Sequence, residues 1–370
     1  MGVDLPRSLA AATEHQPRAA LVLAAALSAG PSHAYLFRGP RGAGKRGAAR
    51  AFAAEILAAA AEEPEEARRR ALLDPSPHPD LVWLAPRGSQ HLVEEVRERV
   101  IRAAAYRPFE GGKRVFAIEA AEAMRDESQN ALLKTLEEPP PFVHLLLLSS
   151  EPEGLLETIR SRCQPVEFAA LPAAAVEAML RDSAGPEEAA AAARLGAGDL
   201  DRARFLITDR GRTIREQAVG CVSAALAGEA DSAPWKDLLD GAEAIGEDAA
   251  ASVRAALEAE VEAGVKRPAR EISEEAKRAG RRRRTEVLDL ALELAAAWIR
   301  DLAAVGAAAP DVVFNRDRLA RLERDAAGID LSRARRGVEL VQDTRRRLEL
   351  NVSEELALEA LLYRLERLLG

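Results

Sequence analysis

A glycine-rich segment ending in lysine is the first group of residues that could do chemistry. Its spacing is GxxxxGK, and its candidate contacts to a nucleotide are Gly39, Gly42, Gly44 and Lys45. Small residues let backbone N–H groups face phosphate oxygens, and a lysine reaches the terminal phosphates. An apolar run at 34–37 precedes the segment, and a helix-favouring stretch at 46–61 follows it. This order predicts a phosphate-binding loop, and the alternative is a tight turn with an incidental lysine.

Two positions that would complete an ATPase site carry unsuitable residues. A working loop has Ser or Thr after the lysine as a magnesium ligand, but Arg46 stands here, and a guanidinium cannot ligate a cation. The strand ending at Ile118 should be followed by Asp-Glu for metal and water, but the pair is Glu119-Ala120. Glu119 keeps a carboxylate, or is simply a surface residue. We therefore expect a nucleotide site without hydrolysis, and nothing in the sequence brings Glu122 to it.

Strand and helix patterns alternate in the first half of the chain. Four apolar runs read as strands, at 34–37, 81–84, 114–118 and 143–148, and the helical stretches between them are 46–61, 92–105 and 128–138. Alternation of this kind predicts a parallel sheet covered by helices on both faces. The polar, proline-bearing segment 62–80 reads as a loop or an insertion. From 169 onward the pattern is helical, with one apolar stripe from Val287 to Leu302.

Composition and charge narrow the class of protein. The formal charge of −8 over 370 residues argues against a protein that grips DNA alone. The only cysteines are Cys163 and Cys221, which exclude a disulfide framework and a four-cysteine zinc site, so we expect no zinc. The first residues lack a signal-peptide pattern, and we expect a cytoplasmic protein.

Two arginine-rich segments could face nucleic acid. Arg97, Arg99 and Arg102 lie in a predicted helix, where the alternative is a solvated face paired with nearby glutamates. The run Arg281–Arg284 is better explained as a charged helix start.

Several motifs together resemble the AAA+ subunits of bacterial DNA polymerase III clamp loaders, most of all the delta-prime type. They are His33–Lys45, His78–Leu81, Asn130–Pro140 and Ser161–Cys163, with a weaker match at Trp298–Leu302 and Leu350–Val352. The resemblance implies a RecA-like AAA+ domain over 1–168 with a degenerate phosphate loop, a small helical lid over 169–211 and an all-α collar over 212–370. In the lid, Asp201 stands where motor subunits carry a nucleotide-sensing arginine, and Arg202 is adjacent.

The function implied by the resemblance is a non-hydrolysing part of the replicative clamp loader. Such a subunit joins gamma/tau and delta type subunits in a ring that loads the sliding clamp onto primed DNA. It needs no cofactor of its own, although nucleotide binding without hydrolysis stays open. Arg162 would then serve catalysis in trans, as an arginine finger for a neighbour's ATP. The alternatives are a gamma/tau-type motor that hydrolyses ATP itself and a nucleic-acid-binding module that acts alone.

Overall fold

The computed structural model describes residues 5–86, 90–262, 268–350 and 352–370. Asn351, part of the weaker tail motif, lies outside the described residues. The chain forms two compact units, which meet in sequence between Leu171 and Pro172. The segment expected to form the collar belongs to the second unit, and so does the expected lid except for its first three residues, 169–171.

The first unit is built on a five-stranded parallel sheet. Its strands are β1 (Ala34–Arg38), β2 (Leu81–Leu84), β3 (Arg114–Ile118), β4 (Val143–Ser149) and β5 (Gln164–Glu167), in the order β2-β3-β4-β1-β5. The four predicted strands are confirmed, and the fifth was missed. β5 is an edge strand that carries Pro165, and only Val166 of its residues is buried. A proline is tolerated at a sheet edge, and a largely polar sequence gives no strand signal there.

Helices cover both faces of this sheet. They are α1 (Arg7–Ala12), α2 (Pro17–Ala29), α3 (Lys45–Ala58), α4 (Pro64–Leu72), α5 (Val93–Val96), α6 (Asp126–Glu137) and α7 (Glu157–Arg160), and a π-helical turn at Arg97–Arg102 continues α5. Two apolar clusters, one around Phe37 and Phe52 and one around Phe116 and Leu132, fill the core.

Segment 62–80, expected to be a loop or an insertion, contains the helix α4, so the loop alternative is wrong. The helix begins with Pro64, carries glutamates in its first turn and arginines in its last turn, and buries only Ala67 and Ala71. Charges in those places favour a helix through its dipole. Two buried alanines form too weak an apolar stripe to predict α4 from the sequence.

The second unit is helical throughout its described residues. Its helices are α8 (Ala173–Leu180), α9 (Pro186–Leu195), α10 (Leu200–Leu206), α11 (Asp209–Ala227), α12 (Trp235–Glu262), α13 (Ala269–Gly306), α14 (Leu319–Asp325), α15 (Leu331–Glu349) and α16 (Glu354–Leu369). The predicted stripe from Val287 to Leu302 lies on α13 and is buried. Arg281–Arg284 lie inside this helix, so the expected helix start is wrong: α13 begins at Ala269. Among the described residues, no helix is both long enough and apolar enough to cross a bilayer.

Candidate functional site

The glycine loop connects β1 to α3 and has the backbone that a phosphate loop requires. Gly39, Gly42 and Gly44 all have positive φ, at 144°, 64° and 90°. A Cβ on Gly39 would lie 2.1 Å from the carbonyl oxygen of Phe168, so this position admits glycine alone. The structure therefore retains the turn and the close packing that the spacing predicted.

Gln16 anchors this loop through hydrogen bonds, and no sequence motif pointed to this residue. Its buried side-chain amide donates to the carbonyls of Ala43 (3.0 Å) and Ala169 (2.8 Å). The amide of Ala169 donates back to Gln16 Oε1 at 2.9 Å. The loop is thereby tied both to the segment before α2 and to the segment after β5.

Lys45 is the first residue of α3 and is buried. Its Nζ donates to the carbonyl oxygens of Gly39 (2.5 Å) and Pro40 (2.6 Å) and to Ser150 Oγ (3.2 Å). The ammonium group is held by the loop itself and by the end of β4. A phosphate would have to compete with these carbonyls for it.

Arg46 and Glu119, the two departures from an ATPase pattern, are brought together by the fold. Arg46 Nε lies 2.7 Å from Glu119 Oε1, and its Nη2 lies 2.7 Å from Asp74 Oδ2. Trp83 Nε1 also donates to Glu119 Oε1, at 2.6 Å. Glu119 is therefore more than a surface carboxylate, because it anchors the guanidinium that replaces a metal-ligating hydroxyl.

A second arginine completes this cluster one turn along α3. Arg50 stacks over the Trp83 ring, 4.4 Å from its centroid, and its Nη2 lies 2.9 Å from Asp74 Oδ1. Burial lowers the pKa of Arg50, which the nearby Asp74 carboxylate opposes. We call Arg46, Arg50, Asp74, Trp83 and Glu119 the Arg46 network. Its signal in the sequence was the i, i+4 spacing of two arginines, but nothing there pointed to Asp74 or Trp83 as partners.

Ala120 and Glu122 follow β3 and differ in what they contribute. Ala120 adopts the left-handed conformation, with φ at 45°, and has no group that could orient water. Glu122 Oε1 accepts from the amide of Ser150 at 3.0 Å, and the hydroxyl of Ser150 in turn accepts from Lys45. The structure thus brings Glu122 to the edge of the site, which the sequence could not do.

Arg162 lies just after α7, and its side chain is 36% exposed. One guanidinium nitrogen donates to the carbonyl of Thr158 at 2.9 Å, and the other lies 2.8 Å from Glu137 Oε1 at the end of α6. These contacts cap α7 and hold the guanidinium at the surface. The neighbouring Cys163 is buried, and burial raises the pKa of its thiol to about 12, so it offers no thiolate at neutral pH.

The predicted nucleic-acid arginines of the first unit are mostly paired within their own helix. Arg99 lies 2.9 Å from Glu95, and Arg102 pairs with Glu98. These pairs fit the solvated face that the sequence left as an alternative. Arg97 is exposed on the same turn.

Three of the arginines singled out in the second unit contact other helices. Arg283 stacks over Phe205, and Arg284 lies 2.9 Å from Glu243 and 2.5 Å from Glu354. Arg202 pairs with Glu293, whereas Asp201 is largely exposed. Such contacts assign these arginines to the packing of the helices.

No cluster of three or more His, Cys, Asp or Glu side chains suited to a metal ion occurs within the described ranges. Whether the protein holds zinc stays a prediction.

Comparison with known proteins agrees with the fold and the loop. The family model described as "DNA polymerase III, delta subunit" matches residues 15–172. The DNA polymerase III subunit delta' of Pseudomonas aeruginosa is 38% identical over 199 residues, which cover 50% of this chain and 58% of the relative. The Bacillus subtilis subunit delta' is 34% identical over 151 residues, 40% of this chain and 45% of the relative.

Relatives of the gamma/tau type match as well. The gamma/tau subunit of Mycobacterium tuberculosis is 35% identical over 179 residues, 43% of this chain and 28% of the relative. The chain spans about half the length, or less, of these curated relatives. Residues 15–172 thus match the DNA polymerase III delta-subunit family model, and the resemblance to clamp-loader AAA+ subunits of the delta-prime type is confirmed.

Proposed function

We propose that the chain is a non-hydrolysing, delta-prime type subunit of a bacterial replicative clamp loader. In this role it joins gamma/tau and delta type subunits in a cytoplasmic, hetero-oligomeric ring that loads the sliding clamp onto primed DNA. The collar, residues 212–370, holds the ring together, and residues 169–211 precede it in the sequence as the lid. The delta' and gamma/tau relatives support the general role, and the site geometry supports the choice of the delta-prime type.

The Arg46–Glu119 ion pair is the observation that carries this proposal. Phosphoryl transfer needs a magnesium ion between the phosphates and the groups at these two positions. Here a guanidinium 2.7 Å from Glu119 brings a fixed positive charge to that place, where it repels a cation and provides no ligand. Ala120 adds no base. The loop therefore lacks both the metal ligand and the water-orienting group.

Binding of a nucleotide without hydrolysis is compatible with the same geometry. The glycine turn is intact, and Arg46 and Lys45 supply positive charge at the start of α3. Lys45 would exchange the carbonyls of Gly39 and Pro40 for phosphate oxygens. No metal is needed for that exchange, because the cationic side chains offset the phosphate charge.

Arg162 is the group we propose for catalysis in trans. Its guanidinium is fixed in charge, half-exposed and held by one carbonyl and one carboxylate. A neighbour's γ-phosphate would replace Glu137 as its anionic partner, which exchanges one charge-assisted pair for another. Thr158 would keep the side chain oriented during that exchange.

ATP turnover by the purified chain tests the non-hydrolysing role. We expect no magnesium-dependent turnover above background, alone or with primed DNA. Steady turnover that Lys45→Ala abolishes would instead establish the motor-type alternative. Salt-dependent binding of primed DNA by the chain alone would support the nucleic-acid-binding alternative.

A further inference from the structure

His91 is a buried histidine beside the nucleotide site, and no motif of the sequence pointed to it. It is 2% exposed and lies two residues before α5. Its ring nitrogen Nε2 lies 2.7 Å from the carbonyl oxygen of Glu119, the residue that follows β3. Its backbone N–H donates to the carbonyl oxygen of Ala123 at 3.0 Å. His91 therefore holds the turn at 119–123 at both of its ends.

The hydrogen bond to Glu119 fixes the protonation of the imidazole ring. A carbonyl oxygen only accepts, so Nε2 carries the proton. The other ring nitrogen, Nδ1, is buried and has no hydrogen-bond partner among the described residues. Burial lowers the pKa of His91, and this effect is opposed by the backbone of Glu119 and Ala120 and by the carboxylates of Glu95 and Glu122. The ring is therefore neutral at pH 7, and its single N–H donates to the turn.

The turn contains a residue in an unfavourable backbone conformation. Ala120 has φ at 45° and ψ at 54°, in the left-handed region that residues with a Cβ rarely adopt. Such a conformation persists where the surrounding contacts fix it. Within the turn, the amide of Ala123 donates to the carbonyl of Ala120 at 2.8 Å. The two contacts of His91 lie on either side of this bond, so they stabilise the turn where it is strained.

Two carboxylates of the turn reach the two cationic side chains of the nucleotide site. Glu119 pairs with Arg46. Glu122 accepts from the amide of Ser150, whose hydroxyl accepts from Lys45. The directions of both glutamate side chains depend on the backbone of the same turn.

We propose that His91 is a positioning residue of this site, which aligns Glu119 with Arg46 and Glu122 with the end of β4. His91 lies outside the motif, yet the Arg46–Glu119 pair, which carries the proposed function, depends on it. The biological consequence rests on the proposed function, whereas the geometry rests on the contacts of His91 alone. An apolar side chain at position 91 would fill the space and leave the carbonyl of Glu119 without its donor.

Substitution of His91, observed at Trp83, tests this role. Trp83 Nε1 donates to Glu119 Oε1 at 2.6 Å, so the indole N–H signal in a nitrogen-15 NMR spectrum reports the position of Glu119. The chain has three tryptophans, and Trp83→Phe assigns the signal. The variants of the full chain are His91→Leu, which removes the donor, and His91→Gln, whose amide nitrogen donates to the same carbonyl.

His144→Leu is the matched control. His144 is 3% exposed, one of its ring nitrogens lies 2.8 Å from the carbonyl of Ser32, and the other has no partner among the described residues. It lies near the amino end of β4, whereas Glu119 follows the carboxyl end of β3. The control therefore removes the same kind of contact from the opposite edge of the sheet.

We expect His91→Leu to move the Trp83 indole signal and to speed amide exchange of Ser150 about tenfold, because Glu122 is no longer held in place. His91→Gln should restore most of both properties. His144→Leu should change neither, even if it lowers the melting temperature as much. An unmoved Trp83 signal in the folded His91→Leu protein overturns the positioning role.

The wild-type protein supplies a measurement that does not depend on how the variants fold. Nitrogen-15 spectra of the histidine rings at pH 7 should show His91 neutral with its proton on Nε2, and a ring protonated on Nδ1 overturns the proposal. Magnesium-dependent ATP turnover by the wild-type chain tests the proposed function separately. Turnover together with a Trp83 signal that depends on His91 would overturn that function and leave the positioning role standing.

Discussion

Arg46 and Arg162 both pair with a glutamate, yet their surroundings differ. Arg46 bridges two carboxylates, and one of these also binds Trp83 while the other binds Arg50. Arg162 has one carboxylate, Glu137, and one backbone carbonyl, and it lies at the surface. The first arginine cannot change partners without disturbing four other side chains, whereas the second exchanges a single ion pair. Arginine therefore plays two different roles. Arg46 is held in place by its network, whereas Arg162 can exchange its carboxylate partner for another anion.

The largest expected effect comes from Arg162→Ala in the assembled loader. Arginine fingers contribute roughly 10³–10⁵ to the rate of other phosphoryl transfers, and with several ATP sites in a ring the whole complex should slow by a smaller factor. DNA-stimulated ATP turnover measures this change, and Arg162→Lys should rescue it poorly, because lysine lacks the planar fork. Unchanged turnover together with a lowered melting temperature would show that Arg162 only caps α7.

The double variant Arg46→Thr with Ala120→Glu should allow magnesium to bind at the nucleotide site. It removes the guanidinium, supplies a metal-ligating hydroxyl and places a carboxylate where water is oriented. We expect magnesium to strengthen binding of a non-hydrolysable ATP analogue by about tenfold, roughly 1.4 kcal/mol, in this variant and not in the wild type. Calorimetric titrations with and without magnesium measure it. Equal magnesium dependence in both proteins would mean that Arg46 does not exclude the metal.

Arg46→Ala should cost stability. It leaves Glu119 and Asp74 each short of a charged partner, and because Arg46 is about half-exposed we expect a loss of about 1 kcal/mol in the free energy of unfolding. Denaturant titration measures this loss. Arg41→Ala is the control, since Arg41 is an exposed arginine of the same loop. Equal stability of the two variants would contradict the claim that the ion pairs of Arg46 stabilise the fold.

Glu137→Gln should have a smaller effect. Exposed ion pairs contribute roughly 0–1 kcal/mol, so stability should change little, and the loader's ATP turnover should stay the same or rise as Arg162 is released. A large fall in turnover would assign Glu137 a direct part in the reaction.

The thiols should give no measurable reaction in the folded chain. Burial raises the pKa of both Cys163 and Cys221 to about 12, and an aspartate near Cys221 adds to this effect. Because the thiolate form is populated only near and above that pKa, we expect neither to react with a disulfide reagent at pH 8 until the protein is denatured. Rapid reaction of Cys163 in the native protein would show that the segment bearing Arg162 opens readily.

Local patterns explain which elements the sequence predicts. The strands β1 to β4 are predominantly apolar, and the glycine spacing fixes a turn by backbone sterics alone, so both can be predicted from neighbouring residues. β5 and α4 were not predicted because each buries very few side chains. A polar sequence at a sheet edge or on a helix surface resembles a loop. The start of α13 was not predicted because its first turns are charged and form no apolar stripe.

The site residues divide in the same way. Lys45, Arg46 and Glu119 were found because their positions relative to strands and helices are set by the motif. Asp74, Trp83 and Gln16 were not, since their contacts join segments 24 to 153 residues apart. Contacts across such distances depend on the packing of the whole unit, and no short pattern encodes them.

The Arg46 network also bears on how such a site could change over generations. A single step from Arg46 to threonine would leave Glu119 and Asp74 as two carboxylates without their shared cation, before any water-orienting group had appeared at position 120. If the proposed function holds, the path back to an active ATPase passes through a less stable and still inactive protein. The loss of catalysis would then work as a ratchet: once the guanidinium has joined these carboxylates, selection for a stable fold alone retains it.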